Sequence, residues 1–189
     1  MFTRLVSFLI LAFVALVFVG CIIGPSIRLY KPITDWEKEA FLKAEREIYP
    51  NDVRDDFPKY DSARVAWPGI ILGAETSDID TSIIIQFKIE HHYYDWIEDF
   101  SIQQEKIFLS PRGEGLFETK WHLKPGSDIT KVNESIGDMI IVYGIPKDIK
   151  DSTIVLDAYY VRVIEKQWFS TQFFNYGRPG DSMTILRVP

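Results

Sequence analysis

The spacing of apolar residues changes along this chain, and each change marks a boundary. Residues 5–23, LVSFLILAFVALVFVGCII, are apolar almost without a break, close to the roughly 20 residues that a bilayer-spanning helix needs. The next stretch, GPSIRLYKPI over 24–33, reads as a short linker with Pro25 and Pro32 as breakers. Thr34-Asp35-Trp36-Glu37 then forms a capping box, in which Thr34 and Glu37 satisfy free backbone donors at a helix start. Trp36, Ala40, Ala44 and Ile48 recur at every fourth position, which predicts a helix over 35–48 with one apolar stripe, ended by Pro50. The stripe is expected to dock on the domain that follows.

From residue 62 the period becomes that of strands. ARVAWPGIIL (63–72) is apolar and β-prone, with Pro68-Gly69 suggesting a bulge or bend. SIIIQFKIEHHYY (82–94) puts Ile83, Ile85, Phe87, Ile89 and His91 on one face and Ser82, Gln86, Lys88 and Glu90 on the other. KIFLS (106–110) and GLFETKWHL (115–123) flank a turn at Pro111–Gly115, and Ser127 to Ile136 makes a short helix closed by Gly137. DMIIVYGI (138–145) and STIVLDAYYVRVIEK (152–166) are two further strands. Three or so strands, a short helix and two strands is the order of an OB-like Greek-key barrel, in which the helix plugs the barrel end. The fold class is therefore mainly β: an OB-like five-stranded barrel with a short inter-strand helix, preceded by an N-terminal helix. An open sandwich is the alternative.

The first apolar run carries the clearest address. Arg4 is the only charge ahead of it, as in an export signal. Its end, Phe18-Val19-Gly20-Cys21, resembles the bacterial lipobox. That resemblance implies a diacylglycerol on the Cys21 sulfur and a cut after Gly20, anchoring the chain through acyl groups. Phe18 stands where Leu or Val is usual, and Ile22-Ile23 prolong the apolar run. The competing reading is an uncleaved single-pass anchor, with Cys21 incidental. Under the first reading, residues 1–20 are a lipoprotein signal peptide and 21–33 a tether. Residues 34–50 are the N-terminal helix, 60–166 the OB-like domain and 167–189 an aromatic tail.

Composition narrows the partners. Cys21 is the only cysteine; once lipidated it leaves no thiol for disulfides, zinc–thiolate sites or a cysteine nucleophile. The chain carries 27 acidic and 21 basic residues, a net charge of −6, and loss of Arg4 makes it one unit more negative. No basic run suits it to nucleic acid, where affinity comes from Lys and Arg displacing counterions. Aromatics at 14% argue against disorder.

The segments Val65-Ala66-Trp67-Pro68-Gly69-Ile70-Ile71 and Gly137-Asp138-Met139-Ile140-Ile141-Val142-Tyr143-Gly144, together with the lipobox, resemble the Slp family of bacterial outer-membrane lipoproteins. Those proteins carry a Trp-Gly-Gly-like first strand and a later Gly-Arg/Asp-hydrophobic-Gly strand, and Pro68 stands where they favour Gly. The resemblance implies an envelope lipoprotein and supplies no catalytic residues.

Candidate chemistry is sparse. Glu90, His91, His92, Asp95, Glu98 and Asp99 are the densest group of possible metal ligands, but adjacent histidines on a strand face opposite ways, and His122 joins them only through folding. No metal site, cofactor or catalytic residue is expected. No serine sits in a Gly-x-Ser-x-Gly elbow, and the glycine-containing turns at 113–115 and 177–180 open no helix, as a phosphate cradle would. The aromatic tail, with Trp168, Phe169, Phe173, Phe174 and Tyr176, either rests on a membrane or partner or packs back on the barrel. The expected function is a non-enzymatic, lipid-anchored envelope protein, at the outer membrane because Ile22 rather than Asp follows Cys21. Its partners are membrane lipid and an envelope protein. The alternative is a barrel that binds a small molecule or glycan through Trp67 or Trp121, held by an inner-membrane anchor.

Overall fold

The alternation along residues 85–91 survives into three dimensions. Ile85, Phe87, Ile89 and His91 are buried, while Lys88 and Glu90 face solvent. The structure is a computed structural model and describes residues 30, 32–79, 82–94, 107–123 and 133–171. Among these, the strands are β1 (Val65–Ile79), β2 (Ser82–His91), β3 (Ile107–Phe108), β4 (Leu116–Leu123), β5 (Met139–Lys150), β6 (Thr153–Ile164) and β7 (Phe169–Ser170). The helices are α1 (Asp35–Lys43), α2 (Pro50–Asp55) and α3 (Phe57–Tyr60).

Strands β1, β2, β4, β6 and β5 close into a barrel in that order. Neighbours are antiparallel except β4 and β6, which run parallel. Counting barrel strands only, this is the first-second-third-fifth-fourth order of an OB-like Greek key, as the strand order predicts. The two segments that carry the family resemblance are neighbours, with Val65 opposite Gly144 and Ile70 opposite Met139. The strand expected over 106–110 is not in the barrel. Ile107–Phe108 pairs in parallel with β7 in a separate two-stranded sheet. Of the helix expected over 127–136, a 3-10 turn at Asn133–Ser135 is described, and 127–132 lie outside the described residues.

The N-terminal helix is shorter than its apolar stripe suggests. It stops at Lys43, because Ala44 turns extended and the Glu45 N–H donates to the Arg64 carbonyl at 2.7 Å. Ile48 therefore leaves the helix face, packs against the barrel core, and its carbonyl accepts the Trp67 indole N–H at 2.7 Å. Pro50 starts a helix rather than ending one. At the first helical position its missing N–H costs no bond. Helices α2 and α3 send Val53, Phe57 and Tyr60 into the barrel core, so the plug described here comes from before the first strand.

The barrel is filled. Val65, Trp67, Ile71, Ile85, Phe87, Ile89, Phe117, Ile140, Val142, Ile154 and Leu156 form its interior, with Trp67 edge-on to Phe117 at 5.3 Å. A second core lies outside, where Ala66, Met139, Ile141, Tyr143 and Ile164 are covered by Tyr30, Ala40, Tyr94, Ile107 and Leu109. Strand β5 thus buries both faces, which is why MIIVY reads as an unbroken apolar run rather than an alternating one.

Bulges set which residue belongs to which core. Leu72 on β1, Lys147 on β5 and Tyr159 on β6 are extra residues in their ladders. Each adds twist that helps close a barrel. Up to Ala158 the even-numbered residues of β6 face inward. The extra residue at 159 hands that place to Val161 and turns Tyr160, Arg162 and Ile164 outward.

The bulge expected at Pro68-Gly69 is not there: both residues pair in register with Ile141 and Ile140, and the extra residue of β1 is Leu72. The Pro68 carbonyl accepts from His92 N–H at 3.1 Å, so its missing donor falls at the very end of the β1–β2 ladder. A Cβ on Gly69 would lie 2.3 Å from the Glu90 carbonyl oxygen and 2.5 Å from Ile89 Cγ2. Further along the same strand, a Cβ on Gly73 would meet nothing nearer than Lys88 Cβ at 3.9 Å. Gly69→Ala is expected to lower unfolding free energy by about 1–3 kcal/mol through overpacking. Gly73→Ala is expected to stay within about 0.5 kcal/mol of wild type. Urea unfolding of the two variants side by side checks both.

Candidate functional site

Two buried polar clusters flank the barrel, and each is assembled by segments far apart in sequence. The first is built on Glu37. Thr34 caps α1 as expected, its Oγ1 accepting the Glu37 N–H at 3.0 Å. The Glu37 carboxylate, however, does not stay at the surface. It is fully buried, and Oε2 accepts the Ile33 N–H at 2.8 Å. Its other oxygen takes the Tyr30 hydroxyl, the Tyr143 hydroxyl at 3.3 Å and Arg162 Nη1 at 3.3 Å. Arg162 Nη1 also donates to the Tyr30 oxygen. Thr34 Oγ1 and the Tyr160 hydroxyl, 3.1 Å apart, add a rim contact.

This cluster is an electrostatic clasp. Burial pushes the Tyr30 phenol far above its ordinary value, with Arg162 opposing and Glu37 adding to the rise. Burial does the same to Tyr143, reinforced by Tyr30 and Glu37. Arg162 loses hydration on burial, but Tyr30 and Glu37 outweigh that loss and hold its charge more firmly than in water. One carboxylate and one guanidinium share neutral phenols, so the pair is compensated without solvent.

The second cluster sits where the Pro111–Gly115 turn meets α2. Glu114 is buried; one oxygen takes the Tyr93 hydroxyl at 2.5 Å and the other the Asn51 N–H at 2.7 Å. It thereby satisfies an open donor in the first turn of α2. The Glu114 N–H in turn donates to His91 Nδ1 at 3.1 Å, which places the ring's own proton on Nε2. Arg54, its charge weakened chiefly by burial and supported by Glu114, donates to the carbonyls of Ser152 at 2.9 Å and Leu116 at 3.1 Å. Both clusters tie backbone to backbone.

The three histidines singled out from the sequence, all among the described residues, do not converge. His91 faces the Glu114 cluster, His92 Nδ1 contacts the Ser110 carbonyl at 2.8 Å, and exposed His122 lies opposite Ile84 on the outer barrel face. Asp95, Glu98, Asp99 and Cys21 lie outside the described residues. Among the described residues no three of His, Cys, Asp or Glu are placed to share a metal ion. Trp67 is fully buried and bonded to Ile48, and Trp121 packs against the same core, so neither is the free stacking platform expected of a glycan site. Phe169 packs on the second core while Trp168 remains 46% exposed; Phe173, Phe174 and Tyr176 lie outside the described residues.

The outer face of β2 and β4, where OB barrels bind their ligands, is mixed in charge. Gln86, Lys88 and Glu90 stand opposite Lys120, Glu118 and Leu116, and Gln86 Nε2 donates to Glu118 at 2.9 Å. No family model, curated protein or solved structure matches this chain.

Sequence reasoning missed the inward turn of Glu37 and the burial of Glu114. The available signal was Arg162, a lone cation in the apolar strand YYVRVI, which needs a carboxylate partner if it is covered. Glu37→Ala, which leaves Arg162 buried without its counter-charge, is expected to cost about 3–5 kcal/mol of stability by urea unfolding. High pH gives a second test. The phenols of Tyr30 and Tyr143 keep their protons in the fold above the ordinary value of 10.0, so the unfolded chain releases them first. Their contribution to stability is constant below about pH 10 and falls above it, by about 1.4 kcal/mol per pH unit for each tyrosine. Unfolding followed between pH 8 and 11 should show this slope in wild type and a shallower one in Tyr30→Phe with Tyr143→Phe.

Proposed function

We propose that this chain is a lipid-anchored protein of the bacterial cell envelope that acts without catalysis, its barrel serving a protein partner or the integrity of the envelope. The observation that carries the reading is the apolar N-terminal run ending in Gly20-Cys21, joined by a short tether to an OB-like barrel. The resemblance to Slp lipoproteins points the same way, and Ile22 after Cys21 favours the outer membrane.

The polar clusters support the non-catalytic part. Glu37, Glu114, Arg54, Arg162 and His91 each hold backbone or one another in place, so their chemistry is already used by the fold. The interleaved Lys and Glu of the β2–β4 face fit a protein surface better than a phosphate backbone, which rewards summed positive charge. The filled barrel, with Trp67 inside it, disfavours the small-molecule or glycan reading.

Growth with radioactive palmitate tests the anchor. Wild type is expected to take up label and to fractionate with outer membrane, and Cys21→Ala to lose the label. Unlabelled wild type, or equal labelling of Cys21→Ala, refutes it.

A further inference from the structure

Exposed apolar side chains scattered one at a time are ordinary on a soluble surface. Here they are not evenly scattered. The three most exposed large hydrophobics among the described residues are Trp36 at 76%, Leu42 at 72% and Ile33 at 67%; the next is Trp168 at 46%. All three fall within ten residues, directly after the linker. Helix α1 turns Glu37 and Ala40 to the barrel, which leaves Trp36 and Leu42 on its uncovered side. Between them on the helix surface lie exposed Asp35, Glu39 and Lys43, of which Glu39 and Lys43 are paired with each other.

We propose that Ile33, Trp36 and Leu42 form the surface on which the barrel rests against the bilayer that holds its own N-terminus. This rests on the anchored reading above and adds an orientation to it. Tyr30 is buried and clasped to Glu37, so the tether leaves the barrel beside α1. From Cys21 to Tyr30 the chain can span at most about 30 Å when fully extended. A lipid attached at Cys21 therefore keeps α1 within about 30 Å of the headgroups, near enough for it to rest on them. Trp at such a place favours the interface, with its ring among the upper acyl chains and its N–H in water.

The test uses the full lipidated chain in vesicles of phosphatidylethanolamine and phosphatidylglycerol, with and without a headgroup spin-labelled lipid. Subtracting the emission of Trp36→Phe from that of wild type isolates Trp36. The expected result is a blue-shifted Trp36 component that loses intensity to the spin label, with both proteins floating equally with the vesicles. Ile33→Ser with Leu42→Ser is expected to lessen the quenching. A floating protein whose Trp36 emits as in water overturns the docking surface and leaves the anchor intact. A blue shift that grows with the protein-to-lipid ratio assigns the patch to a second copy and also overturns it. Failure to float overturns the anchor, and the docking surface with it.

Discussion

Strand β5 is apolar on both faces, and that constraint organises the molecule. A five-stranded barrel covers only the inner face, where Ile140 and Val142 lie; Met139, Ile141 and Tyr143 need a second cover. The chain supplies it by folding its N-terminal segment, with Tyr30 and Ala40, and the residues Tyr94, Ile107 and Leu109 over β1, β5 and β6. Apolar contact alone is non-directional and would not fix the position of that segment. The Glu37–Arg162 pair does fix it, because a buried carboxylate and guanidinium tolerate one geometry and are strongly destabilising when separated. The two phenols fill the remaining hydrogen-bonding positions, so the clasp is both specific and satisfied.

That clasp depends on one irregular residue. With unbroken alternation along β6, Arg162 would follow Ile154, Leu156 and Ala158 into the barrel interior, where nothing could compensate its charge. The bulge at Tyr159 reverses the phase and delivers Arg162 to the outer face beside Tyr143. Bulges are usually discussed as devices of curvature. This one also decides which of two cores receives a charge.

The barrel was legible because its strands obey simple periods and their order admits few closures. The alternation in β2 and the run in β5 are read directly from residue type, and the parallel β4–β6 pairing follows from the Greek-key order. The misreadings have local causes. Four apolar residues at helical spacing predicted a helix to residue 48, but Ala44 and Ile48 are apolar because they pack on the barrel after the chain has left the helix. A proline after an apolar stripe reads as a stop, yet it suits a first helical turn equally well, and Pro50 sits in one. Glu37 stands at the capping-box spacing from Thr34, which left its burial without a separate signal, and its carboxylate takes the Ile33 N–H rather than that of Thr34. Glu114 lies in a turn whose Gly113 is forced by backbone contact, since a Cβ there would fall 1.6 Å from the His91 carbonyl oxygen. Contacts of that kind join positions about twenty residues apart and leave no period to detect.

The covering segment also divides the outer barrel surface into a covered side and an open one. In the ring of strands, β2 and β4 are the two that do not border β5, and their outer face stays outside the second core. OB barrels recognise ligands on that face, and here it carries exposed Lys88, Glu90, Lys120 and His122 rather than apolar cover. In the proposed envelope setting, the clasped side would lie towards the membrane with α1, leaving the charged β2–β4 side free for a partner. A rigid clasp then matters beyond stability. Glu37 and Arg162 hold α1 in one place relative to the β2–β4 face, so a helix resting on the membrane would turn those same strands outward.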